Sequence, residues 1–327
     1  MFNSKYFLES TGDMTDRTAD IQKKLDTYGV CILGAGLYVV NGVNMPDEST
    51  VMGMGKATKV LLDPAAESGY AIGLRSFCTV KNLGLMGALD EIELPETVGE
   101  RHGLLFKGTA TGKQWKVGQP LNSMIDGCYM MGFTGGGLTC VDTGYFIRAC
   151  LTVANCHMAN CGVGINISHF SEFHKFTNVV CNRNRYGCVN NGGNNVFTAC
   201  AFDGNITGFV IDNSRGQSGN DSHGSVVGCT FNHSDNNNGI GILIMGARYG
   251  YVFTGCQLFY SKIVLENSAA ITFSDVNFGA PEITVKGGKL TMFSDCAFGG
   301  VPAITVEDND NVKFVNCFTR DGQAVGV

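Results

Sequence analysis

The sequence predicts an all-β solenoid, a chain wound into stacked rungs of short strands. Three observations predict it. A phrase close to Phe-Thr-Gly-Cys-x-Phe keeps returning, a second phrase, Gly-Ile-x-Ile, follows it, and the composition suits many turns between short strands. Glycine is abundant (45 residues), proline scarce (6) and charge low (16%), which argues against disorder, since disordered chains combine low hydrophobicity with high charge.

The first phrase is clearest at Phe253-Thr254-Gly255-Cys256-Gln257-Leu258-Phe259. Copies stand at Phe197–Phe202, Val226–Phe231, Phe273–Phe278, Phe293–Phe298 and Phe314–Phe318, with weaker ones around Cys128, Cys156 and Cys181. The repeated position then runs 128, 156, 181, 200, 229, 256, 276, 296, 317, in steps of 19 to 29 residues. Such a period, with loops of varying length, marks a solenoid. Most of the 14 cysteines fall on this one position. No CxxC pair has a matching partner pair, and Cys156 and Cys161 are poorly spaced for zinc, so no metal is expected. The cysteines read as a ladder of small buried thiols, and so many unpaired thiols imply assembly in a reducing cytoplasm.

In chain order, residues 1–29 read as a lead-in and capping helix, and 30–327 as the repeat domain, one domain overall. Ile21, Leu25 and Tyr28 share a helical face over Thr18–Tyr28, and Gly29 follows as a C′ glycine would. Val30–Leu33 and Leu37–Val40 read as strands about a Gly turn, with further short strands at Val51–Lys56 and Lys59–Leu62. The Gly53-x-Gly55-Lys56 stretch is a turn, not a phosphate loop, because Thr50 stands where the first glycine is needed. Residues 88–122 interrupt the repeat with an acidic loop (Asp90, Glu91, Glu93, Glu96, Glu100) and a Gly/Lys loop holding the single tryptophan, Trp115. Long loops on a regular scaffold mark binding or subunit surfaces. From 121 onward each rung carries the second phrase, as in Gly164–Ser168, Gly208–Asp212, Gly241–Met245, Lys262–Glu266, Glu282–Lys286 and Ala303–Glu307. Alternation places its Ile, Phe and Leu inside and the x positions outside. Some ten rungs at ~4.8 Å give a stack roughly 45–50 Å long.

The entry segment Asp16-x-Thr18-Ala19-x-Ile21-Gln22, then Gly36-x-Tyr38-x-Val40 and Met52-Gly53-x-Gly55, resembles the start of the pectate-lyase-like superfamily. The stretch from Asn190–Asn195 through Ser222-His223-Gly224 to Gly250–Cys256 resembles phage and prophage tailspikes. The resemblance covers nearly the whole chain. It implies a single-stranded right-handed parallel β-helix, and for tailspikes a homotrimer acting on bacterial surface glycans. No lid is evident after Phe318, so a shortened chain or an oligomer is expected, a trimer by the resemblance.

The outward row that closes the second phrase runs Ser168, Asp212, Met245, Glu266, Lys286, Glu307. Asp212 and Glu266 fall two rungs apart, about 9–10 Å between Cα atoms. Carboxyl groups roughly 6.5–9.5 Å apart suit an inverting glycosidase. Asp203, beside a repeat turn, is the third catalytic candidate with Asp212 and Glu266, and Asp126 is a further acid. The long polar loops near these rungs contribute His169, Glu172, Arg215, Asp221 and His223, with Arg248 nearby; together with Trp115 they are the candidate substrate-binding residues. Carboxylates for hydroxyls and flat rings for stacking are what an oligosaccharide needs. The competing reading is that Asn/Asp/Gly clusters merely make turns and that outward acids are solvated surface. Asp212 and Asp221 with Arg215 or Arg248 could also form a calcium-dependent lyase site, and no G-x-S-x-G motif supports serine catalysis.

A net charge of −6 and a pI near 5.5 disfavour a nucleic-acid partner. No run of 18 apolar residues predicts a membrane span, and the N-terminus lacks a signal-peptide layout. Three functional readings remain. The first is a tailspike-like protein of a virion tail, or a secreted one, that binds and hydrolyses a surface polysaccharide without a cofactor. The others are a non-catalytic trimeric fibre, and a polysaccharide lyase or inulin-fructotransferase-like enzyme.

Overall fold

Parallel hydrogen bonding between successive rungs builds the molecule. The computed structural model describes residues 4–88, 93–106, 122–141, 150–169, 171–214, 223–237, 239–279, 281–309 and 311–326. Each full rung contributes three strands, for example Asn195–Thr198, Ala201–Asp203 and Thr207–Asp212. The next rung repeats them at Gly224–Val227, Thr230–Asn232 and Ile240–Met245, and every pairing between the two rungs is parallel. The strands thus stack into three ladders. The first leads into the Cys turn, the second follows it, and the third carries the Gly-Ile-x-Ile phrase. The third ladder has 11 strands, so at ~4.8 Å per step it is about 48 Å long, within the expected range.

Inside, like stacks on like. Phe176 lies on Phe197 (4.6 Å, 7°), and Phe273 lies between Phe253 and Phe293 at 4.9 Å from each. On the second ladder Phe202 stacks on Phe231 at 5.2 Å. Offset stacking adds roughly 0.5–1.5 kcal/mol per pair beyond the area buried. All 14 cysteines are free thiols, and all but Cys150 are buried. The thiol of Cys256 donates to the Val226 carbonyl, that of Cys296 to Phe273 and that of Cys317 to Phe293, at 3.4–3.5 Å. Cysteine therefore fills space and also satisfies a carbonyl of the preceding rung. Val276 takes the same place with the apolar part alone. Burial pushes the Cys296 thiol up to about 12, which keeps it a donor at neutral pH.

The ladder of small residues needs one correction. Cys181 pairs with Met158 and Phe202, not with Cys156 and Cys200. The position in that rung belongs to Val179, which follows the left-handed Asn178 just as Cys156 follows Asn155. The true mark of the turn is therefore a left-handed residue followed by a small buried one. Gly127, Asn155, Asn178, Ala199, Gly228, Gly255, Asp275, Asp295 and Asn316 all have φ between 51° and 65°. Glycine, Asn and Asp tolerate that conformation best, which explains their recurrence before the cysteine.

A different constraint makes the glycine of the second phrase. A β-carbon on Gly164 would lie 2.5 Å from the Gly187 carbonyl oxygen. The same holds for Gly187 against Gly208, and for Gly208 against Gly241. The glycines give way where the strand shortens: the register shifts between Ile240 and Ile242 against Lys262–Glu266, and that strand carries no glycine.

The helix Thr18–Tyr28 forms as expected and buries Ile21 and Leu25 on the first rungs, with Gly29 left-handed at its end. Two expectations change. Residues 88–122 do not break the stack, because Arg101–Phe106 within them pairs as a third-ladder strand with Gly69–Leu74 and Gly136–Cys140. Asp90 and Glu91 lie outside the described residues. After Phe318 the chain turns back, Val325 N donates to the Cys317 carbonyl at 2.9 Å, and Val325 packs on the core. Among the described residues no helix is long and apolar enough to cross a membrane.

Two expected outcomes follow. Gly187→Ala should lower unfolding stability by about 1–3 kcal/mol through backbone overlap. Gly255→Ala, with open space around it, should cost only about 1 kcal/mol of left-handed strain. Chemical denaturation compares the two. In the native protein Ellman's reagent should react rapidly with Cys150 alone, and after denaturation with all 14 thiols.

Candidate functional site

The third ladder ends on the corner where each rung hands the chain to the next, and the predicted row forms there. Asp212 pairs with Met245, Met245 with Glu266, Glu266 with Lys286, and Lys286 with Glu307. Asp212 and Glu266 are thus two rungs apart with only Met245 between, about 9–10 Å between Cα atoms. The row continues backward through Asn191, whose Oδ1 accepts from the Asp212 N–H at 2.9 Å. Oδ1 of Asp212 accepts from both the N–H and the hydroxyl of Ser214, which sets the carboxylate's orientation. The Glu266 carboxylate has no hydrogen-bond or ion-pair partner among the described residues, since Lys286 turns to Glu307 at 3.3 Å. Beside the row, Val189, Val210, Leu243 and Val264 form an apolar outer face of the same ladder.

The other predicted residues divide. His223 and Arg248 stand at this corner, in the segments flanking Asp212 and Met245. The His223 ring meets Tyr249 edge-on at 6.1 Å. His169 and Glu172 both belong to the same corner two rungs earlier, between Val163–Ile167 and Lys175–Thr177, but are buried (6% and 9% exposed), and the Glu172 carboxylate accepts from Asn194 at 3.3 Å. They lie beneath the edge rather than on it. Trp115, Arg215 and Asp221 lie outside the described residues.

Asp203 is the clear correction. It ends a second-ladder strand, paired with Asn182 and Asn232, so it lies at the opposite corner from Asp212. The strand Thr207–Asp212 separates them by five residue steps, about 16 Å. Asp203 therefore does not join the Asp212–Glu266 pair. Asp126 is likewise elsewhere, in an ion pair with Lys81 at 3.0 Å that helps hold its carboxyl below the usual range, after the hydrogen bond from Asn155.

Sequence reasoning missed Tyr249, which is 71% exposed beside Arg248. It sits in a Gly-bounded turn, and the available signal is a large aromatic where turns favour small polar residues. It also missed the buried polar network under the corner. Leu151 N donates to His174 Nδ1, so Nε2–H of His174 faces Ser171 Oγ at 2.7 Å. Asn195 accepts from the His174 N–H and donates to Asn190, which donates to the Tyr251 hydroxyl at 2.6 Å. Tyr251 reaches Asn190 because Gly224 in the intervening rung has no side chain. Among the described residues no cluster of three or more His, Cys, Asp or Glu could hold a metal.

With this geometry in hand, comparison with solved structures is informative about the fold. The A-module of the Azotobacter vinelandii mannuronan C-5 epimerase AlgE4 aligns with a TM-score of 0.66 at 14% identity, over 97% of this chain and 98% of that one. Tailspike protein 2 of an Escherichia coli O157:H7 bacteriophage aligns at 0.59 and 14%, over 93% of this chain and 45% of that one. The tailspike gp49 of Acinetobacter baumannii bacteriophage Fri1, a capsular polysaccharide depolymerase, aligns at 0.56 and 12%, over 97% and 58%. The fold is a right-handed parallel β-helix of the pectate-lyase-like kind. The chain spans about half the length of these two tailspikes. No protein-family model and no curated protein sequence matches it.

Burial lowers the His174 pKa to about 3, from an ordinary value near 6.5. The unfolded chain therefore binds a proton that the native state refuses. Stability is full above pH 6.5 and falls as pH drops from there toward 3. His174→Gln should flatten that part of the stability–pH curve, measured by urea unfolding between pH 7 and 4.

Proposed function

We propose that this β-helix binds a bacterial surface polysaccharide along the third-ladder corner and hydrolyses it there. The observation that carries the reading is the row itself: Asp212 and Glu266, two rungs apart, on an outward edge with Tyr249 and Arg248 beside them. The separation leaves room for a sugar and a water between the carboxyl groups. Asp212, oriented by Ser214, takes a proton from that water as its oxygen attacks the anomeric carbon. Glu266 gives its proton to the departing glycosidic oxygen. Tyr249 offers a ring face to a pyranose and Arg248 offers donors to hydroxyl or carboxylate groups. The mannuronan-acting and capsule-depolymerising neighbours support a polysaccharide as the ligand class. The tailspike likeness supports a place on a virion tail or otherwise outside the cell, and the homotrimer rests on the resemblance in sequence alone.

Incubation with capsular polysaccharides and lipopolysaccharides should release oligosaccharides from at least one. Asp212→Asn and Glu266→Gln should each lower kcat about 10²–10⁴-fold while leaving glycan binding in place. Binding without cleavage by the parent protein would leave the fibre reading. Products with an unsaturated uronic acid absorbing in the near ultraviolet would replace hydrolysis by a lyase reaction.

A further inference from the structure

The opposite corner carries a cluster that the proposed hydrolysis does not use. Asp203, Asn232 and Phe259 occupy equivalent positions in three successive second-ladder strands. The residues that follow them, Gly204, His233 and Tyr260, form the left-handed corner column, with φ of 62°, 52° and 53°. His233 Nδ1 lies 2.9 Å from Asp203 Oδ1, and the His233 ring stacks on Tyr260 at 5.1 Å and 21°. All three side chains are exposed to water, Tyr260 by 62%.

Physical chemistry does not favour this arrangement as mere surface. Histidine is among the residues that tolerate left-handed φ, whereas an aromatic such as Tyr260 rarely takes it. Earlier rungs fill the same corner with Gly132, Asn160 and Arg183. The strain of Tyr260 is not repaid by burial. Residues held in costly conformations and left in solvent cluster at binding sites.

We propose that this corner is a second saccharide site, taking a neutral hexopyranose unit of a glycan. The Tyr260 ring is covered on one face by His233. The rest of the ring is open to solvent, Tyr260 being 62% exposed, and Gly279, which follows Phe259 in the stack (Gly279 N donates to the Leu258 carbonyl at 2.9 Å), projects no side chain. The apolar C–H face of a pyranose fits that ring face. Asp203, held by His233, accepts from sugar hydroxyls. Asn232 uses its Oδ1 on the Phe259 N–H at 3.3 Å, which leaves its amide N–H groups to donate to the same sugar. The site lies about 16 Å from Asp212 across the third ladder, so it anchors a chain rather than cleaving it. It does not depend on hydrolysis at the other corner.

The test is affinity electrophoresis of the full chain in gels containing dextran, a mixed-linkage β-glucan or a galactomannan. The wild type should be retarded by at least one. Tyr260→Gly removes the ring and relieves the left-handed strain, so it should fold at least as stably, and it should weaken the apparent affinity about tenfold or more. Asp203→Asn should weaken it similarly, whereas Lys313→Ala, at an exposed position near the far end of the stack, should leave this retardation in place. Retardation unchanged in both Tyr260→Gly and Asp203→Asn, or no retardation of the wild type by any of the three neutral glycans, overturns the proposal.

Discussion

Everything in this molecule depends on the lateral register of its rungs. Each backbone N–H of one rung donates to a carbonyl of its neighbour, and this parallel pairing places a given side chain directly over its counterpart ~4.8 Å away. Phe273 can lie on Phe253 and Phe293, and Cys256 can donate to Val226, only because the register holds from rung to rung. A slip of one residue would turn every inward ring outward. The same register brings Asp212 and Glu266 onto one edge, so packing and proposed chemistry rest on one constraint.

The ladders enforce uniformity and the corners are free to vary. Along the turn before the small buried residue, glycine, Asn and Asp alternate with little consequence, because only the backbone conformation is demanded. At the second-to-third-ladder corner the left-handed demand is the same, yet the side chains change from Gly204 to His233 to Tyr260. At the end of the third ladder the segments near Asp212 and Met245 carry Ser214, Arg248 and Tyr249. A rigid stack with variable corners positions groups about 10–16 Å apart without any of them being needed for folding.

The fold was largely legible because its constraints are periodic. The phrase at Phe253–Phe259 reports a demand that recurs along the stack, and the glycines at 164, 208 and 241 report one that recurs until the strand at Lys262–Glu266. Legibility failed where composition imitates the period. Cys181 resembles the repeated cysteine, but the left-handed Asn178 three residues earlier shows that Val179 holds the place. The outward row was readable from alternation alone, since Asp212, Met245 and Glu266 each close a third-ladder strand. Asp203 was misplaced because nearness in sequence says nothing about which end of a strand a residue occupies. Tyr249 and the Ser171–His174–Asn195–Asn190–Tyr251 network escaped because they form between rungs, across 3 to 61 residues of chain.

The central claim is that two rungs of parallel register separate the working carboxylates. In the proposed reaction that spacing leaves room for a water between the base and the sugar, and it would fix the stereochemistry of cleavage. The direct measurement is the configuration of the first-formed reducing end, followed by proton NMR before mutarotation. The register of Asp212 and Glu266 predicts inversion. A product that retains the configuration of the cleaved linkage would require carboxyl groups only ~5 Å apart and would contradict the account.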